Sequence, residues 1–383
     1  MMSETIEIVV RSAAPQAERA VNDAMLQLLA RMAPLGLPPA AIAAMTWEAE
    51  NPAAFDPGRR VIDIAVRDAI AGFLPRVTLR PGPPGLTVTA TIDTQRPDTT
   101  RPAWRGFSAP DLARAYAARS QVPDLQAVFE AWRARTAAFT ASQTHPALDV
   151  VYGPGPNETL DLFYPAGPRS GPLPLWVFIH GGFWQAMDKN LHGHFAAGML
   201  AAGFAVAVPN YELAPAIDLA GIVDQMRRCM AFLHGRAASF GLDPEAIHVS
   251  GHSAGGHLAA MLASDPRTGF VRSALPISGL FDLEPMSLLP MRRLLGLDTP
   301  RIVAELSPTR RALLARCAVE IAVGAGELPE FIRQSDEIAM IWGCPAAHHV
   351  PGKHHFDVVD ELADGGPLLD QALRLAGTRR PTT

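Results

Sequence analysis

From residue 112 to the C-terminus, apolar positions recur in two registers. The segments 112–119 and 125–139 carry them at helical spacing, and short apolar runs then alternate with further helical stretches. Strands are predicted at 148–151, 159–163, 175–179, 205–208, 247–249, 274–277, 319–323 and 348–350. Helices are predicted near 194–202, 219–240, 256–264, 331–342 and 368–375, each where the period lengthens from two to near 3.6. Two early strands followed by regular strand–helix alternation predict an α/β architecture: a mostly parallel sheet with helices on both faces. The stretch 111–383 is of a size that one such domain ordinarily has.

Ahead of that stretch the pattern is shorter and mixed. Alternation over 5–10 predicts a strand, 17–32 a helix, 45–49 a strand, 60–73 a helix, and 77–80 and 86–92 two closing strands. Residues 1–93 therefore read as a small α+β domain. Between 94 and 110 the apolar period lapses while proline, threonine and arginine gather, which reads as a linker. No internal repeat is visible.

Composition narrows the picture. A chain of 383 residues exceeds what one hydrophobic core usually serves, in keeping with two domains. With 48% apolar and 19% charged residues and a net charge of −5, the chain is neither disordered nor a basic nucleic-acid-binding protein. The first residues carry acids where a secretory leader would carry lysines, and no apolar run is long enough to span a bilayer, so a cytoplasmic protein is expected. Cys229, Cys317 and Cys344 lack metal-ligand spacing and read as free thiols. His348, His349, His354 and His355 cluster late, but no carboxylate or cysteine pattern completes a metal site, so neither a metal nor another cofactor is expected.

The chemistry centres on Gly251-His252-Ser253-Ala254-Gly255, which follows a short apolar run and precedes an alanine-rich helical segment. A strand, a sharp turn and a helix with serine at the apex form a nucleophile elbow, and small neighbours are required because backbone must pass close to the serine. His180-Gly181-Gly182 follows an earlier strand and supplies glycine amides that can face an oxyanion, alongside the amide of Ala254 at the helix start. For the base, His354 and His355 both lie after the last strand, and His355 is preferred. For the acid, Glu327 follows the later strand, which favours it over Asp282, a good loop cap, and over Glu330. The order of oxyanion loop, serine, acid and histidine is that of an α/β-hydrolase.

With these residues in view, the second domain resembles the arylformamidase (kynurenine formamidase) branch of the α/β-hydrolases. The resemblance rests on Tyr116 with Arg119, Leu160-Asp161-Leu162-Phe163-Tyr164-Pro165 and His180 to Gln185. It continues through Pro209-Asn210-Tyr211-Glu212-Leu213-Ala214-Pro215, Gly251 to His257, Ser278 to Pro285, Pro329 to Ser335 and His355-Phe356-Asp357. It implies cofactor-free hydrolysis of an N-formyl arylamine, a small-molecule substrate, through a formyl-serine. At the acid position this chain carries Glu327 where aspartate is common. Phe183 and Trp184 are read as walls of an aromatic substrate pocket, with loop packing the competing role. A carboxylesterase using the same residues, or a non-catalytic assembly protein, are the alternatives.

Residues 5–92 resemble the Rid (YjgF-like) enamine/imine deaminase family in element order, in Pro75-Arg76 before a strand, and in Gly85-Leu86-Thr87-Val88-Thr89-Ala90. That resemblance implies a second site in which Arg76 holds a substrate carboxylate, and homo-oligomerisation through this domain. The closing strand carries threonine and alanine where that family often has a glutamate, which favours an assembly role.

Overall fold

A computed structural model describes the strands at 5–12, 42–49, 76–81 and 86–93, the helical positions Ala24, Gln27, Leu28 and Arg31, and residues 102–168 and 171–377. The chain forms two compact units, Met1–Ala117 with Pro285–Arg293, and Ala118–Glu284 with Leu294–Thr383.

The first unit holds a four-stranded sheet of β1 (Thr5–Ser12), β2 (Ile42–Ala49), β3 (Arg76–Pro81) and β4 (Leu86–Asp93) in the order β1-β4-β2-β3. Strand β4 runs antiparallel to β1 and β2, while β2 and β3 are parallel. Alternation sets the buried face: Met45 and Trp47 on β2, and Val88 and Ala90 on β4, have almost no exposed surface. Ala24 and Leu28, one helical turn apart, are also buried. The helix predicted at 60–73 lies outside the described residues. Part of the stretch read as a linker is ordered otherwise: β5 (Pro102–Trp104) and β6 (Phe107–Ser108) form a hairpin. Arg105 and Gly106 turn it with φ of 43° and 86°, the two positive values that a tight hairpin turn requires. Strands of three and two residues are too short to leave an apolar period. Ser108 then caps α1 (Ala109–Ala115), accepting from the Asp111 amide at 3.3 Å.

The second unit begins with α2 (Leu125–Ser142) and is built on a nine-stranded sheet. Its strands are β7 (Ala147–Val151), β8 (Thr159–Phe163), β9 (Leu173–Ile179), β10 (Ala205–Pro209), β11 (Leu242–His252), β12 (Val271–Ile277), β13 (Ala318–Val319), β14 (Ala322–Gly324) and β15 (His348–Val350). Their order is β15-β14-β12-β11-β9-β10-β8-β7, with β13 also against β12. Only β7–β8 and β8–β10 are antiparallel; every other pairing is parallel. Strand β10 is buried along its whole length, as a strand covered on both faces must be. The principal helices are α3 (Ala197–Ala201), α4 (Leu219–Gly235), α5 (Ala254–Ala263), α6 (Pro300–Leu306), α7 (Pro329–Trp342) and α8 (Pro367–Leu375). The strand predicted over 319–323 is divided into β13 and β14.

Because β9, β11, β12, β14 and β15 run in one direction, the loops after them emerge at one edge of the sheet. That edge gathers the residues singled out in the sequence. A buried lysine fixes part of it: Lys189 Nζ lies 2.7 Å from Asp161, itself buried on β8, and 2.8 Å from the exposed Asp149 on β7. The Lys189 amide donates to the Asn210 side chain at 2.7 Å, so the segment after the His180 loop is tied to the sheet at two points.

Candidate active site

The turn between β11 and α5 explains the glycines around Ser253. Ser253 has φ 56° and ψ −117°, a conformation that side-chain-bearing residues seldom adopt. A methyl group added at Gly251 would lie 2.3 Å from the Gly255 carbonyl oxygen. At Gly255 it would lie 2.0 Å from that of Ile179, and at Gly256 2.6 Å from that of Ile277. Such separations are impossible for real atoms, so the backbone of β9, β12 and α5 comes this close only where no side chain intervenes. The Ser253 amide donates to Ile277 O at 2.8 Å, which pins the apex to the neighbouring strand.

His355, on the loop after β15, connects Ser253 to Glu327. Its Nε2 lies 3.0 Å from Ser253 Oγ and its Nδ1 2.6 Å from Glu327 Oε2. A carboxylate only accepts, so Nδ1 carries the proton and Nε2 faces the hydroxyl as an acceptor. All three side chains are buried, and the His355 ring is held by Phe331 and His252, with centroids 4.4 and 4.7 Å away. The remaining oxygen of Glu327 is also occupied: Oε1 accepts from the Ser278 hydroxyl and from the Gly324 amide at 2.8 Å. The sequence assigns neither Ser278 nor Gly324 a part in holding the acid, because neither residue type signals the support of a carboxylate. The one local sign, φ of 51° at Ser278, is a property of the backbone.

The other candidates are placed elsewhere. Asp282 accepts from the Glu284 amide at 3.1 Å, a loop cap, and burial raises its pKa. Glu330 pairs with Arg333 at 2.9 Å within α7. His354 faces Asp357, at 3.2 Å, rather than Ser253. His180, His192, His194, His248, His252 and His257 are buried, and burial drives all six down: His180, His248 and His257 to about 4, His192 and His194 to about 3, and His252 well below the usual range. Each is a neutral imidazole at ordinary pH, with a local partner such as Leu306 O for His257, at 2.8 Å. Among the described residues no group of three His, Cys, Asp or Glu is disposed to hold a metal ion.

The loop after β9 lies against the elbow. A methyl group on Gly181 would sit 3.0 Å from His252 O and 3.3 Å from Ser253 Cβ. Gly182 has φ 105°, and its carbonyl accepts from Gln185 and Ala186, each at 3.0 Å. Ala254 is the first residue of α5, so its amide has no carbonyl within the helix to bond. Phe183 and Trp184 follow with φ of 56° and 58°. Trp184 is fully buried and meets His257 edge-on at 5.1 Å, so its ring packs the loop. Of the two rings, only Phe183 keeps exposed surface. Arg76 heads β3, and its side chain lies outside the described residues.

Strand order, elbow and hydrogen-bonded serine, histidine and carboxylate define the class: an α/β-hydrolase fold. The BD-FAE family matches residues 160–272. Kynurenine formamidase from Danio rerio is 28% identical over 290 residues, a match covering 70% of this chain and 97% of that protein. Among solved structures, a protein from Silicibacter sp. tm1040 assigned as a thioesterase is 32% identical with a TM-score of 0.61, covering 67% of this chain and 96% of that one. Esterase B from Lactobacillus rhamnosis, at 22% identity and a TM-score of 0.54 over 69% of this chain and 96% of its own, speaks for the fold alone. The chain belongs to the arylformamidase-like α/β-hydrolases, and it is a hydrolase.

Proposed function

We propose that the chain hydrolyses the amide of an N-formyl arylamine, of the N-formylkynurenine kind, to formate and the free amine. Ser253 is the nucleophile, His355 the base and Glu327 its orienting acid. Ser253 Oγ attacks the formyl carbon as its proton passes to His355 Nε2, and Glu327 stabilises the imidazolium that results. The negative oxygen forms beside the amides of Ala254, Gly181 and Gly182. His355 returns the proton to the leaving amine as the carbon–nitrogen bond breaks, and water then releases formate from the formyl-serine by the same relay. The observation that carries this reading is the pair of hydrogen bonds at His355, 2.6 Å to Glu327 and 3.0 Å to Ser253.

The choice of a formamide over an ester draws on the similarity to the Danio rerio kynurenine formamidase. Turnover of N-formylkynurenine is to be compared with that of short p-nitrophenyl esters, in wild type and Ser253→Ala. Formamide hydrolysis lost in the variant is expected; ester hydrolysis without formamide hydrolysis overturns the substrate assignment. For residues 1–93, with 94–110 joining them to 111–383, the proposed role is assembly into a homo-oligomer in the cytoplasm. A monomeric mass by light scattering overturns it.

A further inference from the structure

We infer that Tyr211 and His180 are positioning residues that aim the two glycine amides of the oxyanion loop. The inference rests on the reading that Gly181 and Gly182 donate to the oxyanion, and it concerns what holds those donors in place.

In a trans peptide the C=O of one residue and the N–H of the next lie in one plane and point in opposite directions. Fixing a carbonyl therefore fixes the direction of the following amide. The carbonyl of His180 precedes the Gly181 amide, and it accepts from the Tyr211 hydroxyl at 3.0 Å. The carbonyl of Gly181 precedes the Gly182 amide, and His180 Nδ1 lies 2.8 Å from it. Facing a carbonyl, that nitrogen carries the proton and donates. Tyr211 Oη is also 3.4 Å from Gly181 O, so the same hydroxyl borders both peptides. The next carbonyl, that of Gly182, is held by Gln185 and Ala186, which continues the arrangement through a third peptide.

The two side chains also hold each other. The Tyr211 and His180 rings stack at 4.3 Å with 7° between planes, and both are buried. His192 stacks on His180 as well, at 5.5 Å. Neither ring touches Ser253, His355 or Glu327 in any hydrogen bond among the described residues, so neither takes part in proton transfer. Glycine gives this loop its close approach to the elbow but no stiffness of its own. The hydroxyl and the imidazole supply that stiffness, so that the donors do not have to reorient when charge develops.

The test is Tyr211→Phe, which keeps the stack and removes only the hydroxyl, with His180→Gln as a second variant. For each, kcat and KM for N-formylkynurenine and a p-nitrophenyl ester are measured, with the affinity for an aryl trifluoromethyl ketone, which adds Ser253 Oγ to form a tetrahedral oxyanion. Loss of a whole oxyanion donor lowers kcat about 10²- to 10³-fold, so mis-aiming is expected to cost about 10- to 100-fold. KM should stay within about threefold, and ketone affinity should fall by the same factor as kcat, because only the tetrahedral state uses these amides. Unchanged kcat in Tyr211→Phe, or a lowered kcat with unchanged ketone affinity, overturns the inference. Full turnover in Ser253→Ala would instead overturn the proposed function itself, so the two failures are distinguishable.

Discussion

A positive φ at a residue other than glycine is unfavourable by roughly 1–3 kcal/mol, and Ser253 keeps one because its surroundings permit nothing else. Its amide is bound to Ile277 O, its carbonyl receives the His257 amide at 3.0 Å, and glycine backbone closes in from both sides. The hydroxyl is left toward His355. Ser253→Ala is expected to lower turnover by several orders of magnitude with an unchanged far-ultraviolet circular dichroism spectrum, since it deletes one oxygen and no packing. Retained activity would remove Ser253 from the mechanism. Glu327→Gln keeps the volume but puts a donating NH2 in place of one accepting oxygen and removes the charge that stabilises imidazolium, so kcat should fall by up to about 10⁴-fold. An effect below tenfold would reduce Glu327 to a structural part. At this scale the meeting of Ser253, His355 and Glu327 was legible from the glycines of the elbow and from the late strands that the other two follow. Tyr211 was not, because a tyrosine bonded to distant carbonyls leaves no local pattern.

Glycines at element boundaries differ sharply in what they tolerate. Gly255, in the first turn of α5, faces Ile179 O at a distance that excludes any side chain, whereas Gly235, the last residue of α4, is exposed with nothing within 4 Å of an added methyl. Gly255→Ala should destabilise by about 3 kcal/mol or more, as overpacking against backbone does. Gly235→Ala should be neutral or stabilising by roughly 0.5 kcal/mol, through the chain entropy it removes. Thermal midpoints of the two variants check the contrast, and equal shifts would show that the elbow yields. Lys189 ties the oxyanion-loop segment to β8. Lys189→Met leaves Asp161 buried and unpaired, which is expected to destabilise by about 3–5 kcal/mol in urea denaturation. Elements with long apolar runs were readable in advance, as β9 and β10 illustrate. The division of 319–323 into β13 and β14 was not, since both parts are apolar and only the pairing with β12 separates them.

Across the whole molecule, the buried histidines form a titrating reserve. In the unfolded chain each takes a proton near pH 6.5, but His180, His248 and His257 do so only near 4 when folded, and His192 and His194 near 3. Between those values the unfolded state binds more protons, so stability declines as pH falls from about 6.5. The slope is up to roughly 1.4 kcal/mol per pH unit for each histidine. Urea midpoints measured from about pH 7 down to about 4.5 should drop steadily, and a flat profile would contradict this account. The change of period near 94–110 foretold neither the hairpin at 102–108 nor the grouping of Pro285–Arg293 with Met1–Ala117. A grouping of that kind comes from contacts between residues far apart in the chain.

Strand β7 bounds the nine-stranded sheet with Leu148 and Val151 in the open, 44% and 63% exposed. An open rim of that kind invites a second molecule to add its own strand. Asp149 stands between them with φ 53°, bent out of line and anchored to Lys189, and it breaks the pairing between Ala147 and Val150. A charged kink there opposes such pairing, so Asp149→Val is expected to make concentrated solutions of the enzyme more prone to polymerise.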